Sequence, residues 1–410
     1  MDNLHTDNAQ KQIFDCIIIG GGISGISFAH KLSTIHKNIL LLEKEGITGG
    51  QIQTYNSEKS PEYWSELGAH TCYNSYTNLL SIISESQLED EIVPLDRCKY
   101  VLYANNKIKS VTSQLSYLPL MFCGLRIFGS SKKSKTVREY FKPIVGNSNY
   151  EKVFRNMFRA VISQDADEYP AESFLKRRKD RREDIPRKYS FRKGLLSFLN
   201  LLIEKDPINV RTNTEITKIT KGNDNLYHIH TKEGESLCAV NIAIATNPQI
   251  ASRLLENIDS RISKILKTIP LFQSETLNII INKKNIDLQK LAGIIPTSGG
   301  FLSAVSRDVY EHPELRSFSF HFYGNEKSED EKLETVCQVL GIKKNNITEH
   351  SFTSHTLPSL RVEHTDIIQR IDEAREQEHV FLTGNYFYGL SLEDCVHRSI
   401  DEFKRFQKVN

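Results

Sequence analysis

Three glycines and one glutamate near the N-terminus have the types and the spacing needed to hold a pyrophosphate and a ribose. Gly20, Gly22 and Gly25 form a GxGxxG pattern, and Glu43 follows 18 residues after the last of them. Glycine permits a tight turn and lets backbone amides approach phosphate oxygens, while a carboxylate accepts hydrogen bonds from ribose hydroxyls. A free ribose 2′-hydroxyl suits FAD or NAD rather than NADP.

The segments around these residues predict a strand, a helix and a second strand. Residues 16–19 are a short apolar run typical of a buried strand, residues 26–32 have the pattern of an amphipathic helix, and residues 38–43 form another apolar strand. The strand and helix place the glycines in the turn between them. The N-terminus of the helix, at Ile23 and Ser24, then favours bound phosphate.

A second glycine pair follows the glutamate. Gly49 and Gly50 lie in "LEKEGITGGQIQT", six residues after Glu43. This order resembles the E-x5-GG continuation of the flavin amine oxidase superfamily, in which the pair lies against the flavin part of FAD. The resemblance therefore favours FAD over NAD. Where the superfamily has an arginine after the pair, this sequence has Gln51, and Lys44 supplies a neighbouring cation.

The resemblance continues along most of the chain. The segments "ELGAH", "NTEITKI", "AIATNP" and "GNYFYGLSLEDC" are similar to those that contact FAD in the superfamily. The similarity implies that the backbone of Ile216 meets the adenine edge. The expected cofactor-binding residues are Gly20, Gly22, Ile23, Ser24, Gly25, Glu43, Lys44, Gly49, Gly50, Gln51, Gly68, Ala69, His70, Ile216, Thr246, Gly384, Asn385, Gly389, Leu390, Ser391 and Leu392.

The C-terminal segment also predicts a capped helix. Ser391 and Asp394 have the spacing of an N-cap residue and an acidic residue at the third helical position. By the resemblance, this helix directs its free amides towards the flavin pyrimidine oxygen. Those amides would stabilise negative charge on the reduced ring.

The expected fold is α/β, with a Rossmann-like (GR2-type) FAD-binding domain, a sheet-based substrate domain and a helical insert. "TLNIIINKK" and "RSFSFHFYG" are predicted strands of the substrate domain, and the second has a half-buried pattern. The predicted segments are 1–75, 190–260 and 360–410 for the FAD-binding domain, 76–110 and 261–359 for the substrate domain, and 111–189 for the insert.

Within the superfamily, "GNYFYGLSLEDCV" is most similar to protoporphyrinogen oxidases. That resemblance implies oxidation of protoporphyrinogen IX, or a related porphyrinogen, in haem biosynthesis. Successive hydride transfers to flavin N5 would be followed by reoxidation by oxygen or a quinone-type acceptor. The flavin performs this chemistry, so no catalytic side chain is assigned. Alternatives are a desaturase, an amine oxidase, an isomerase of the UDP-galactopyranose mutase kind and a catalytically silent flavoprotein.

Basic residues are concentrated in the predicted insert. Residues 126–193 contain 19 Lys and Arg against 9 Asp and Glu. The apolar run "LSYLPLMFCGLRIFG", residues 115–129, overlaps the start of this range. This combination suits a peripheral membrane surface with anionic lipids, although a solvated charged face has the same composition. Arg97 and Lys99 are candidate contacts to a substrate carboxylate.

Composition excludes several other classes of protein. The 410 residues carry a net charge of +2, which gives no global nucleic-acid signature. The seven cysteines form no CxxC pair and the histidines do not cluster, so neither a metal site nor a disulfide framework is expected. No signal peptide or membrane span is predicted. We therefore expect a cytoplasmic protein, with peripheral contact to the cytoplasmic membrane face left open.

Overall fold

The computed structural model describes residues 12–36, 38–298, 300–307, 311–375 and 378–409. The N-terminal segment 1–11 and residues 37, 376, 377 and 410 of the predicted FAD-binding domain lie outside the described residues. So do residues 299 and 308–310 of the predicted substrate domain. None of the described helices is both long and apolar enough to cross a membrane.

The described residues form strands of 2 to 12 residues. In chain order they are β1 (Ile13–Ile19), β2 (Ile39–Leu42), β3 (Thr54–Asn56), β4 (Trp64–Glu66), β5 (Cys72–Tyr73), β6 (Ile92–Pro94), β7 (Tyr100–Ala104), β8 (Lys107–Ser110), β9 (Lys188–Phe191), β10 (Asn209–Arg211), β11 (Ile216–Lys221), β12 (Tyr227–Thr231), β13 (Ser236–Ile244), β14 (Leu271–Asn282), β15 (Gly293–Pro296), β16 (Ser303–Ser306), β17 (Leu315–Tyr323), β18 (Ile347–Pro358) and β19 (Val380–Leu382).

The helices are distributed through the whole chain, with short 3₁₀ turns and one π-helical turn (Tyr150–Phe154) between them. They are α1 (Ile23–Ser33), α2 (Thr77–Glu85), α3 (Tyr117–Gly124), α4 (Val137–Val145), α5 (Asn147–Asn149), α6 (Arg155–Ile162), α7 (Leu195–Lys205), α8 (Pro248–Leu255), α9 (Ser260–Lys267), α10 (Glu329–Leu340), α11 (His364–Ala374) and α12 (Leu392–Val409).

The first large sheet has the order β10-β2-β1-β13-β12-β11, and β19 also pairs with β13. Its central strands are parallel and covered on both faces, which explains the continuous apolar runs in the sequence. In β1, Cys16 and Ile18 pack towards α1 and α12, whereas Ile17 and Ile19 pack towards α8 and α9. The predicted Rossmann-like α/β fold is confirmed.

The second sheet has the order β18-β14-β17-β16-β15-β7-β8 and is mostly antiparallel. Both predicted strands are present as β14 and β17. The half-buried pattern predicted for β17 is wrong, because the strand is buried on both faces. Its phenylalanines pack under α10, while Ser317 and Ser319 contact Tyr63 and the Glu66 backbone on the other side.

The predicted helical insert is helical only in its first part. Helices α3 to α6 end at Ile162, and residues 163–187 contain no helix. The dense run of charges at 175–184 is therefore not a helix face. We name residues 174–188 the basic loop; it leads directly into β9, which pairs with β5 and β6 in a small third sheet. The predicted domain boundaries themselves stay a prediction.

Candidate active site

A cavity of about 2020 Å³ runs from the first sheet to the second. Its wall includes the ends of β1 and β2, the N-termini of α1 and α12, and polar residues of β14, β16 and β18. The carboxyl ends of parallel strands are the usual ligand-binding edge of such sheets. We call the part around Gly20, Glu43 and Thr246 the nucleotide end, and the part formed by the basic loop and the second sheet the substrate end.

The two glycine motifs pack against each other at the nucleotide end. Gly49 N donates to Gly21 O at 2.8 Å, and a Cβ on Gly50 would lie 3.2 Å from Gly22 Cα. A Cβ on Gly25 would lie 2.0 Å from Gly20 O, so only glycine permits this approach of α1 to the end of β1. The motifs, separated in sequence, form one continuous backbone surface.

The first turn of α1 has the properties of an anion site. Its N-cap residue is Gly22, which has no side chain to accept from the free amides, and the turn contains no acidic residue. Ile23 and Ser24 line the cavity. Uncapped amides and the positive end of the helix dipole suit a pyrophosphate.

Glu43 lies beside this turn and is 6% exposed. Its Oε2 accepts from Gly21 N at 2.7 Å, and its Oε1 accepts from Glu45 N at 3.0 Å. These two amides fix the carboxylate in the cavity wall. Each oxygen keeps capacity for another hydrogen bond, so the group still fits a ribose hydroxyl.

The N-terminus of α12 reaches the same cavity from the other end of the chain. The predicted cap is present: Ser391 Oγ accepts from Asp394 N at 3.1 Å and donates to Asp394 Oδ2 at 2.6 Å. Asp394 in turn binds Lys176 and Arg178 of the basic loop, at 3.1 and 3.0 Å. The helix that is predicted to face the flavin therefore also anchors the basic loop.

The structure brings most of the predicted cofactor-binding residues to this one cavity. The residues in its wall are Gly20, Gly22, Ile23, Ser24, Glu43, Lys44, Gly49, Gly50, Gln51, Gly68, Ala69, His70, Ile216, Thr246, Gly384, Asn385, Leu390, Ser391 and Leu392. Gly25 and Gly389 are not in the wall; both shape the backbone behind it. Arg97 lines the cavity, but Lys99 does not. Direct contact of these residues with FAD stays a prediction.

Histidines form the wall next to Gly68. His355 Nδ1 lies 2.9 Å from Gln51 Oε1, and His321 Nδ1 lies 2.8 Å from Thr276 Oγ1. Burial, reinforced by the nearby Arg307 charge, holds the pKa of His70 and of His321 well below the ordinary value. The same causes lower the pKa of His355. This wall is therefore lined by neutral imidazoles at neutral pH.

The substrate end carries an excess of positive charge. Its carboxylates are already paired, because Asp96 binds Lys290 at 2.7 Å and Asp394 binds two basic-loop residues. Within the described part of the chain, five further cations line this end of the cavity without a carboxylate partner, namely Arg97, Arg177, Arg181, Arg187 and Lys188. This end thus suits an anionic ligand.

Sequence reasoning missed the buried polar groups of the second sheet and the position of the basic loop. Arg307, His321 and His355 come from three separate strands or strand ends, and no local spacing connects them. The alternation of serine and phenylalanine in β17 was the available signal, because it marks a second, polar face. His321 of that face lines the cavity, and Ser317 and Ser319 contact Tyr63 and the Glu66 backbone rather than solvent.

The described residues contain no group of three or more His, Cys, Asp or Glu that could hold a metal ion. The seven cysteines are all free thiols.

The chain is similar to known proteins both in its N-terminal segment and over most of its length. Residues 18–86 match a family model described as an NAD(P)-binding Rossmann-like domain. The chain is 23% identical to protoporphyrinogen oxidase 1 (chloroplastic) of Arabidopsis thaliana, over 93% of this chain and 86% of that protein.

Solved structures share the fold at lower identity. A structure of a putative protoporphyrinogen oxidase from Exiguobacterium sp. 255-15 superposes with a TM-score of 0.81 at 16% identity, covering 98% of this chain and 100% of that chain. Cyclohexylamine oxidase from Brevibacterium oxydans IH-35A gives a TM-score of 0.70 at 13% identity, covering 97% and 100%. These likenesses concern the fold.

Proposed function

We propose that this chain, a FAD-dependent oxidoreductase of the flavin amine oxidase superfamily, oxidises a porphyrinogen to a porphyrin. The similarity to a protoporphyrinogen oxidase over nearly the whole chain supports this substrate class. The cavity fits the cofactor, since it combines the uncapped N-terminus of α1, the backbone surface of the glycine motifs and the buried Glu43 carboxylate.

The observation that carries the proposal is the unpaired positive charge at the substrate end. A porphyrinogen has carboxylate substituents on its rim, which Arg97 and the basic loop can bind. An amine substrate is cationic at neutral pH and would be repelled by the same residues. The charge of the cavity therefore favours porphyrinogen oxidation over amine oxidation.

The chain's own residues bind and orient the cofactor and the substrate, and they exclude water from the site. Bound FAD supplies the electron acceptor for each oxidation. Backbone amides at the start of α1 would hold its pyrophosphate, and those at the start of α12 would stabilise negative charge on the reduced ring. Phe158, Phe174 and Ile295 give the substrate end an apolar wall for a macrocycle.

The test is the growth of porphyrin fluorescence when the purified, FAD-loaded protein meets protoporphyrinogen IX in air. Growth well above a heat-inactivated control supports the proposal, and coproporphyrinogen is the next substrate to compare. Anaerobic bleaching of the flavin without growth in air would indicate a quinone-type acceptor. Absence of both contradicts the proposal and would favour a desaturase, an amine oxidase, a mutase-like isomerase or a silent flavoprotein.

We also propose that the protein binds an anionic membrane surface through α3 and the turn after it. Tyr117, Leu118, Met121, Phe122 and Leu125 are exposed, and Phe128 is 88% exposed. Helix α3 has no buried residue, although it packs beside α4. Arg126 in the turn and Lys133 after it are exposed and supply positive charge that attracts anionic lipid.

Flotation with vesicles tests the membrane proposal. Wild-type protein should float with vesicles that contain phosphatidylglycerol, and much less with phosphatidylcholine vesicles. Phe122→Ser combined with Phe128→Ser should abolish flotation, whereas Val240→Ser, at an exposed valine on β13, should not. Equal flotation of all three proteins would contradict the proposal.

A further inference from the structure

A buried arginine stands behind the Gly68–His70 wall of the cavity. Arg307 follows β16, and its backbone N–H donates to Ser317 O on β17 at 2.8 Å. Its side chain donates through Nε to Ser319 Oγ at 3.0 Å and through Nη2 to Gly68 O at 3.1 Å. The residue is 1% exposed. The guanidinium is therefore fixed in place between the second sheet and the Gly68 segment.

The hydrogen bonds of this guanidinium are incomplete. Nη1 is buried and has no hydrogen-bond partner among the described residues. A guanidinium has five N–H donors, and leaving a buried charged group partly unsatisfied destabilises the fold. An apolar residue of similar volume would serve packing at least as well. The arginine thus has a cost in stability that packing does not explain.

No carboxylate within ion-pair distance neutralises Arg307 in the described structure. The acidic residue that acts on the charge of Arg307 is Glu66, which is fully buried. Its carboxylate accepts hydrogen bonds from Leu195 N at 2.7 Å and from Thr54 Oγ1 at 2.8 Å. Burial raises the pKa of Glu66 to about 7 and lowers the pKa of Arg307 to about 10. At neutral pH the arginine is still charged, while the carboxyl is partly protonated.

We propose that Arg307 is a positioning residue that places a permanent positive charge behind Gly68 and thereby stabilises the negative charge that bound FAD gains on reduction. Because Arg307 is buried, solvent screens its charge little and its Coulomb interactions across the cavity wall are strong. The Gly68 segment that it contacts also packs against Gln51, the residue after the glycine pair: a Cβ on Gly68 would lie 2.9 Å from Gln51 O. The positive charge of Arg307 thus lies directly behind the part of the wall that is predicted to face the flavin.

The inference rests on FAD binding in this cavity and does not depend on which substrate is oxidised. A purely structural role is the competing explanation, because Arg307 also ties β17 to the Gly68 segment. The two explanations differ in what the oxidised, substrate-free protein does. A structural role changes stability alone, whereas an electrostatic role also changes the flavin's reduction potential and its affinity for sulfite. Sulfite adds to oxidised flavin and leaves a negative charge on it.

The experiment compares Arg307→Met, Arg307→Lys and Arg316→Met in FAD-loaded protein. Arg316 is a buried arginine on β17 that is absent from the cavity wall, so it is the matched control. Arg307→Met should lower sulfite affinity about tenfold and make the flavin's reduction potential more negative. Arg307→Lys keeps the positive charge, so its sulfite affinity and flavin reduction potential should stay close to those of the wild-type protein. Arg316→Met should lower the melting temperature and leave both values unchanged.

A second variant keeps the test decisive if Arg307→Met does not retain FAD. Glu66→Gln removes the opposing charge, so at about pH 8, where Glu66 is mainly ionised, it should raise sulfite affinity and the reduction potential. Unchanged affinity and potential in FAD-loaded Arg307→Met overturn the proposal. If that variant cannot be loaded, unchanged values in Glu66→Gln overturn it. Neither readout uses a porphyrinogen, so failure of the proposed function would leave this result interpretable.

Discussion

The two ends of the cavity are built in different ways. At the nucleotide end, Gly20 to Gly25 offer backbone amides, and the buried carboxylate of Glu43 is held by two of the chain's own N–H groups. At the substrate end, the wall consists of charged and aromatic side chains from the basic loop, α6 and the second sheet. The nucleotide end is a surface of backbone groups, whereas the substrate end is a surface of charged side chains.

This difference predicts different sensitivities to mutation and to salt. Backbone amides cannot be replaced by changing a side chain, so the nucleotide end is disrupted mainly by added bulk. Exposed cations are screened by ions over about 10 Å at 0.1 M salt, so the substrate end should respond to ionic strength. Each prediction below tests one side of this contrast.

The largest effect is expected from bulk at Gly25. Gly25→Ala places a methyl group where Gly20 O lies 2.0 Å away, so α1 must move from β1. We expect a loss of more than about 4 kcal/mol in the free energy of unfolding, and loss of FAD. Chemical denaturation and flavin content measure both. Gly129→Ala, where nothing lies within 4 Å, is the control; equal behaviour of the two variants would refute the close approach.

Glu66 should give the next largest effect, through pH. Its pKa is raised in the folded protein, so its contribution to stability is fully present below its ordinary pKa and is lost as pH rises through about 7. Glu66→Gln should remove about 3 kcal/mol of this pH dependence. Denaturation of both proteins at about pH 5 and pH 8 measures it. Glu204→Gln, at an exposed residue of α7, should leave the profile unchanged.

Glu43 tests the nucleotide end without added bulk. Glu43→Gln keeps the size of the side chain but sets an amide NH₂ against one of the two backbone donors, and it removes the charge that a ribose hydroxyl would meet. FAD affinity should fall about tenfold. Fluorescence titration of the apoprotein at low and high salt measures this, and the fold-change should be almost the same in both. A strong salt dependence would contradict the backbone description.

The smallest effect is expected from the exposed cations. Arg177→Ser combined with Arg181→Ser should raise the KM for a porphyrinogen about fivefold at low salt, and the difference should shrink at high salt. Lys179→Ser is the control, because Lys179 lies in the basic loop but not in the cavity wall. If all three substitutions behave alike, then general surface charge, rather than these two side chains, attracts the substrate.

Much of the fold could be predicted because its signals are local. The apolar run of β1, the glycine turn and the start of α1 are adjacent in sequence, and their geometry is dictated by backbone hydrogen bonding and by the absence of a Cβ. The cap of α12 by Ser391 is equally local. By contrast, the alternation in β17 predicts a solvent-facing side that the strand does not have. Its serines instead meet Tyr63 and Glu66, which lie about 250 residues away.

The basic loop shows the same limit. Its charge was visible in the sequence, but its position was not, because a run of arginines and lysines has no preferred partner until the chain is folded. Asp394, 218 residues from Lys176, supplies that partner and turns the loop towards the cavity.

The sequence by itself determined the parallel α/β core, the backbone surface for a dinucleotide and the superfamily resemblance, since each depends on residues a few positions apart. Only the tertiary structure decided which charges lie in or behind the cavity wall. Arg307, Glu66 and the three histidines come from separate segments, and burial changes their pKa values only once those segments enclose them. Electrostatic environment is a property of packing, so it cannot be obtained from spacing along the chain.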